Sequence, residues 1–132
     1  MRIEVVSEVS KVVPNGVLIA RFVDLSDLLA RVENDCELLI ELFAMFKEEL
    51  PARRAALHNA IQLGDLHLAT AEAHTLKGML ANMSTKHAAS LAATIETAAR
   101  VGDMAAVNVM LAAFDTEIEA FSKAVNEFVA GH

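Results

Sequence analysis

The sequence predicts an all-α fold, an antiparallel up-down-up-down four-helix bundle with an additional short N-terminal helix. Hydrophobic residues make up 55% of the 132 residues, enough for the core of one domain, whereas only five glycines and two prolines are present. This shortage of turn formers favours long helices over a sandwich or a barrel with many turns. Apolar residues recur at spacings of three and four along most of the chain, and the short loops between these stretches force neighbouring helices to be antiparallel.

The first part of the chain, residues 1–21, is predicted to be an N-terminal extension or tether that precedes a bundle over 22–132. It contains a turn signal, Pro14-Asn15-Gly16. A short hairpin, a docked extended segment and a tether from a larger protein all fit this pattern, and the sequence does not choose between them. The segment is rich in β-branched residues: Ile3, Val5, Val6, Val9, Val12 and Val13.

The first predicted helices follow from capping residues and apolar spacing. Asp24 opens a short helix, and Asn34 or Asp35 is the predicted N-cap of a long helix over 35–63. Pro51 should kink this long helix or start a new segment within it, because proline cannot donate to the preceding turn. The apolar residues of the long helix recur at helical spacing: Leu39, Leu42, Phe43, Phe46, Leu50, Leu57, Ala60 and Ile61.

Two Gly-Asp pairs mark tight turns between the remaining helices. Gly64-Asp65 and Gly102-Asp103 each place glycine where a left-handed residue ends a helix, and aspartate where the next N-cap is required. Between them, Ser84 or Thr85 is a predicted N-cap. These signals predict helices over 65–82, 85–101 and 103–129. The last helix has the alternating spacing of a bundle seam: Val107, Leu111, Phe114, Ile118, Phe121, Val125 and Phe128.

His74 does not fit the core of the second long helix. The mean direction of that helix's apolar seam lies about 130° from His74 at 100° per residue, so the imidazole is expected to face solvent. The seam consists of Leu66, Ala69, Ala73, Leu76, Leu80 and Met83. The neighbours of His74 on the same outer face are Thr70, Ala71, Lys77, Gly78 and Ala81.

Lys77 and Gly78 give this exposed imidazole a chemical context. A glycine in the middle of a helix costs about 1 kcal/mol relative to alanine, which indicates that something must approach closely there. Lys77 can swing its ammonium group towards an anion attached to the imidazole ring. Because the ordinary pKa of an imidazole is about 6.5, a neutral ring is a competent phosphoryl acceptor near pH 7.

These residues resemble the signature of a known family. His74-Thr75-Leu76-Lys77-Gly78 is similar to the His-x-Leu-Lys-Gly core of histidine-containing phosphotransfer (HPt) domains. The resemblance covers about residues 22–129, including the Glu-Glu-Leu-Pro segment that ends at Pro51 and both Gly-Asp turns. The sequence departs from the family after this motif. Where the family commonly has a Gly-Ala or similar pair about ten residues beyond the histidine, this chain has Ser84-Thr85.

The resemblance implies a phosphorelay intermediate that is a phosphocarrier and not an enzyme by itself. His74 would accept a phosphoryl group from a receiver-domain aspartyl phosphate and pass it to a response-regulator aspartate. Lys77 would stabilise the phosphoryl group, and Gly78 would give steric clearance. The implied partners are response-regulator receiver domains and a hybrid sensor histidine kinase, with Mg²⁺ expected on the receiver and no cofactor on this chain. The expected partner-binding residues are Thr70, Ala71, Ala81, Leu28 and His67.

Two other functions remain open from the sequence. The chain also fits a phosphoacceptor domain that is fed directly by a separate histidine kinase. It further fits a docking module that binds receiver domains without being phosphorylated, in which case a His74→Ala variant would bind a receiver like the wild type. Whether the chain is free-standing or a C-terminal fragment of a hybrid kinase is likewise open.

Composition and missing motifs argue against several other functions. The net charge of −7 disfavours nucleic acid as a partner. No metal site is expected, because the sequence has no Glu-x-x-His or His-x-x-x-His pair and Cys36 is the single cysteine. Phosphate-binding Gly-rich loops and the Gly-x-Ser-x-Gly elbow are absent. No apolar run is long enough to span a bilayer and no secretory signal is apparent, so the sequence predicts a cytoplasmic protein, monomeric by default.

Overall fold

The computed structural model describes residues 16–131, which form six α-helices and, within that range, no strand. Most of the β-branched N-terminal segment, and the Pro14-Asn15 part of the predicted turn, lie outside the described residues. The helices are α1 (Gly16–Ile19), α2 (Leu25–Arg31), α3 (Cys36–Gln62), α4 (Leu66–Asn82), α5 (Lys86–Arg100) and α6 (Met104–Ala130).

The four long helices form a closed bundle. Each of α3, α4 and α5 packs against the next helix in the chain, and α6 returns to pack against α3. The short loops make successive helices antiparallel. The short helices are peripheral: α1 packs on α6 and α2 on α3. The predicted all-α bundle with an added N-terminal helix is therefore confirmed.

Four aspartates begin helices as the sequence predicts. The side chains of Asp24, Asp35, Asp65 and Asp103 each accept a hydrogen bond from the backbone N–H three residues later, at 3.0–3.1 Å. Each bond satisfies one of the N–H groups that the first turn of a helix leaves unpaired. Thr85 occupies the N-cap position of α5, but its side chain makes no capping hydrogen bond.

The loop between α4 and α5 reaches a left-handed conformation without glycine. Gly64 and Gly102 have φ of 70° and 80° in their turns, and Ser84 has φ of 56° in the corresponding place. Its hydroxyl donates to Asp27 Oδ2 at 2.6 Å, and its carbonyl accepts from the backbone N–H of Asp24 at 2.9 Å. Both bonds tie the end of α4 to α2, and they hold Ser84 in a conformation that L-residues rarely adopt.

The helix α3 continues through Pro51 as a single element from Cys36 to Gln62. Of the two alternatives predicted for Pro51, a kink or a new segment, the new segment is therefore wrong. Leu50 and Leu57 are buried on either side of the proline, so packing holds this helix together across the missing hydrogen bond. Burial also extends to residues before position 22, since the side chain of Ile19 is fully buried in the bundle core.

The orientation of α4 follows from its packing between α3 and α5. Four of its side chains are fully buried, and these define the face that points into the core. Two of them are alanines, which lets α5 approach closely. The opposite face is therefore left at the surface of the bundle. The buried residues are Ala69, Ala73, Leu76 and Leu80.

Candidate functional site

His74 lies on the surface in the middle of α4, as the helical phase predicts. Its side chain is 67% exposed, whereas the preceding residue, Ala73, is fully buried. Because the helix on either side of it is packed along its length, the imidazole is carried by a rigid element. One of its two ring nitrogens is held by a neighbouring helix.

A buried carboxylate on α5 holds the ring. Glu96 Oε2 lies 3.0 Å from His74 Nδ1, and the Glu96 side chain is only 5% exposed. Two cations flank the same carboxylate: Lys77 Nζ lies 2.7 Å from Oε1 and Arg100 Nη2 lies 2.7 Å from Oε2. Glu96 thus joins α4 to α5 directly beneath the exposed imidazole, and a buried charge of this kind is tolerated because it is paired.

The charge on Glu96 fixes which ring nitrogen carries the proton. Lys77 has the largest effect and lowers the pKa of Glu96, burial opposes it, and Arg100 and His74 lower the pKa further, to about 2. The carboxylate is therefore ionised near neutral pH and can only accept hydrogen bonds. It follows that Nδ1 of a neutral His74 ring is the donor, which leaves the lone pair on Nε2, the outer nitrogen of the ring.

Lys77 reaches the carboxylate and not the imidazole. The sequence predicts this lysine as the cation for an anion on the ring, and in the structure its ammonium group forms an ion pair with Glu96. It is half-buried beside His74. A group attached to Nε2 would therefore have to draw Lys77 away from Glu96, at least in part.

Gly78 is a glycine that nothing within the described chain requires. It lies on the exposed face one turn after His74, its φ is not in the left-handed region, and a Cβ placed on it would have no heavy atom within 4 Å. Neither the backbone nor the packing of the bundle explains the missing side chain. The space beside the imidazole is therefore open to another molecule.

The predicted partner-binding residues are only partly placed at the surface. Ala71, Ala81 and His67 are exposed on the same side of α4 as His74, and Thr70 is half-buried with its hydroxyl donating to the carbonyl of Leu66 at 2.7 Å. Leu28 is different, because its side chain is 1% exposed and belongs to the core. The prediction that Leu28 contacts a partner is corrected accordingly: α2 turns its leucines towards the bundle.

The sequence reasoning missed Glu96 and Arg100. A signal was present, because the buried face of α5 consists of alanines and one isoleucine at helical spacing, and a single glutamate adjoins it. A lone acid beside such a face requires a partner, and Arg100 lies four residues later on the same helix. What the sequence did not reveal is that this face meets α4 at the level of His74. The buried residues of that face include Ala88, Ala92, Ile95 and Ala99.

The described residues, 16–131, contain neither a metal-binding cluster nor a helix that could span a membrane. Within that range no group of three histidine, cysteine or acidic side chains is placed to hold a metal ion. None of the helices described is both long and apolar enough to cross a bilayer.

Comparison with protein families gives a match for the bundle. A family model described as Hpt domain matches residues 41–124, which is more than half of the chain. The chain belongs to the Hpt domain family. Hpt domains are phosphocarrier modules that transfer phosphoryl groups through a histidine in two-component phosphorelays, where they interact with receiver domains and kinases. Comparison with curated proteins and with solved structures gives no match.

Four histidines lie in the region that matches the Hpt family, and their surroundings differ. The His67 side chain makes no hydrogen bond or ion pair with any residue in the range 16–131. His87 lies 4.0 Å from Glu117, and both His58 and His74 make short contacts with carboxylates. Of these, His74 combines high exposure, a fixed ring and an adjacent glycine.

Proposed function

We propose that this Hpt domain is a phosphorelay intermediate in which Nε2 of His74 accepts a phosphoryl group from a receiver aspartate and passes it to the aspartate of a response regulator. The observation that carries the proposal is the hydrogen bond between Nδ1 and the buried, ionised Glu96 carboxylate. It fixes the ring and leaves the nucleophilic lone pair on the outer nitrogen. Family membership supplies the class of reaction.

The transfer step needs no proton to move. The Nε2 lone pair attacks the phosphorus of the aspartyl phosphate, the P–Nε2 bond forms, and the P–O bond to the receiver breaks with its electron pair returning to the receiver carboxylate. The ring keeps its proton on Nδ1 and takes up a positive charge, which the Glu96 carboxylate offsets from 3.0 Å. In the second transfer a receiver carboxylate attacks phosphorus, and the electron pair of the P–N bond returns to Nε2.

The remaining residues contribute charge and access. Lys77, three residues after His74 on α4, would turn from Glu96 to the phosphoryl oxygens as negative charge arrives on Nε2. Gly78 leaves room for the receiver to bring its phosphorylated aspartate into line with Nε2. We place Thr70, Ala71, Ala81 and His67 at the rim of the docking surface. Mg²⁺ belongs to the receiver, where it offsets the charge of the phosphoryl group.

Transfer of labelled phosphate from a phosphorylated receiver domain tests this proposal. We expect the wild-type chain to become labelled, the label to be lost in acid and kept in base, and His74→Gln to remain unlabelled while it keeps its helical circular dichroism. His58→Gln is the matched control, because it also removes a surface histidine that contacts a carboxylate, and it should be labelled like the wild type.

Two results would contradict the proposal. Labelling of His74→Gln at the wild-type rate would place the acceptor elsewhere. A folded wild-type chain that takes no label from a panel of receivers, but takes it from a histidine kinase domain and ATP, would show that the chain is fed directly by a kinase and is not a receiver-fed intermediate.

A further inference from the structure

The Glu96 carboxylate divides its partners unequally between its two oxygens. Oε1 lies 2.7 Å from Lys77, whereas Oε2 takes both Arg100, at 2.7 Å, and His74 Nδ1, at 3.0 Å. Two cations and one imidazole therefore share a single buried anion. The two cations lie on different helices, with Lys77 on α4 next to His74 and Arg100 on α5 one turn after Glu96.

The two cations are not equivalent once negative charge arrives on the ring. In the proposed transfer, Lys77 turns from Glu96 to the phosphoryl oxygens, and Oε1 loses its ion-pair partner. A carboxylate that is 5% exposed is costly to leave without a cation, so it would rotate towards water or take up a proton. Either change would release Nδ1 of His74. Arg100 is bound to the other oxygen and does not need to move.

We propose that Arg100 is a positioning residue that stays on Glu96 while Lys77 turns to the phosphoryl group, so that the carboxylate stays in place and His74 keeps its orientation. This inference rests on the proposed function of His74. Within residues 16–131, Glu96 is the only partner of the Arg100 guanidinium. Arg100 therefore acts through the carboxylate, and not by contact with the imidazole.

The charged groups around His74 are few enough for a clean test. Glu96 and Arg100 approach from α5 and Lys77 from α4 itself, and no ion pair in residues 16–131 links His74 to α3, the other helix packed against α4. Replacing Lys77 by alanine imitates its departure. Arg100 is then the single cation on Glu96, and its removal should free the ring.

Nitrogen-15 NMR of the unphosphorylated full chain at pH 8 measures which nitrogen of the His74 ring carries the proton. We expect a neutral ring with its proton on Nδ1 in the wild type, in Lys77→Ala and in Arg100→Ala. In Lys77→Ala/Arg100→Ala this form should be depleted, because Glu96 then rotates towards water or takes up a proton and no longer holds Nδ1. The matched control is Lys77→Ala/Arg53→Ala, which removes an exposed arginine of α3 instead and should keep the Nδ1 proton.

Two NMR results would overturn the role of Arg100. Loss of the Nδ1-protonated ring in Lys77→Ala alone would show that Arg100 does not hold the carboxylate. Retention of that ring form in Lys77→Ala/Arg100→Ala would show that Glu96 needs neither cation. Neither reading depends on labelling, so a failure of the proposed function would be recognised separately, by a wild-type chain that no receiver labels.

A rate measurement then connects the positioning to transfer. Arg100→Ala should slow labelling by a phosphorylated receiver by about three- to fivefold, the size of one exposed ion-pair contact. In a Glu96→Gln background, Arg100→Ala should cause no further loss, because its effect passes through the carboxylate. The same three- to fivefold loss in that background would show instead that Arg100 contacts the phosphoryl group or the receiver directly.

Discussion

Within residues 16–131, two histidines of the bundle are hydrogen-bonded to a carboxylate, and we propose that one of them, His74, accepts the phosphoryl group. His74 on α4 meets Glu96 of α5, and His58 on α3 meets Asp115 of α6 at 2.9 Å. Each carboxylate also binds an arginine: Arg100 pairs with Glu96 and Arg54 with Asp115. The two clusters are built from the same residue types, so residue type alone does not distinguish them.

The clusters differ first in which ring nitrogen is held. Glu96 binds Nδ1 of His74 and leaves the outer nitrogen Nε2 free, whereas Asp115 binds Nε2 of His58 and leaves Nδ1, the nitrogen nearest the backbone. The His58 ring is also less exposed, at 39%, and its carboxylate is less buried, at 21% exposed. A receiver aspartate can approach the free nitrogen of His74 from solvent, and it meets the helix itself at His58.

The residues that follow each histidine on its helix differ as well. Three and four residues after His74 come Lys77 and Gly78, and at the same offsets from His58 come Ile61 and Gln62. Ile61 is buried, and Gln62 adds a side chain where Gly78 has none. Under the proposed function, a carboxylate that orients the ring is therefore not enough, and His74 differs from His58 in its free outer nitrogen, its neighbouring lysine and the open space at Gly78.

The largest difference between the two clusters is expected when the carboxylate of each is removed and the labelling rates are compared. We expect Glu96→Gln to slow labelling by a phosphorylated receiver by roughly ten- to a hundredfold, because the ring loses both its orientation and the anion that offsets its charge during transfer. Asp115→Asn should leave the rate within about twofold of the wild type, because His58 is not the proposed acceptor. Equal losses in the two variants would indicate that both act through stability, which thermal unfolding would reveal.

The next largest effect is expected when His74 is given the residue that lies four positions after His58, a glutamine. Gly78→Gln should slow labelling by a receiver by about tenfold, since the added side chain occupies the approach to Nε2. Labelling by phosphoramidate, a small phosphoryl donor, should be almost unchanged, because it needs less room than a protein surface. An equal loss of labelling rate with both donors would show that the change at position 78 affects the imidazole itself and not the approach of the receiver.

The bundle could be predicted from the sequence because the signals that specify it are local. Asp65 and Asp103 cap helices within three residues of themselves, and Gly64 and Gly102 adopt the positive φ that their turns require. Each prediction depended on neighbours in the chain and on helical periodicity. Packing overrode the local rule at Pro51, where α3 runs on because buried leucines flank the proline.

The candidate site was predictable only as far as one helix extends. His74, Lys77 and Gly78 share one face of α4, so their proximity follows from spacing alone. Glu96 lies 22 residues after His74, and their contact depends on how α4 and α5 are aligned, which no short pattern reports. Leu28 was misplaced for the same reason, since the orientation of α2 is set by what it packs on.

The protein should lose stability in acid, because the buried carboxylate of Glu96 becomes protonated there. The folded pKa of Glu96, about 2, lies below its ordinary 4.5, so its ionised form favours the folded state above about pH 4.5. That contribution is lost as the pH falls from 4.5 towards 2. Urea unfolding should show a wild-type advantage over Glu96→Gln that is largest near pH 7 and shrinks across this range. Glu49→Gln, which removes an exposed carboxylate of α3, is the control.

The smallest expected effect concerns the glycine that sets the His74 cluster apart. Gly78→Ala should raise the free energy of unfolding by about 1 kcal/mol, because alanine is the better helix former and its Cβ meets no atom within 4 Å. Gly102→Ala is the contrasting control and should destabilise the protein, since Gly102 has φ of 80°. A Gly78→Ala variant that is more stable and yet slower with a receiver would show that the chain gives up helix stability at this position for access to His74. Greater stability with an unchanged transfer rate would show that one methyl group at position 78 does not obstruct the receiver. The larger side chain of Gly78→Gln would then decide whether this position must stay clear.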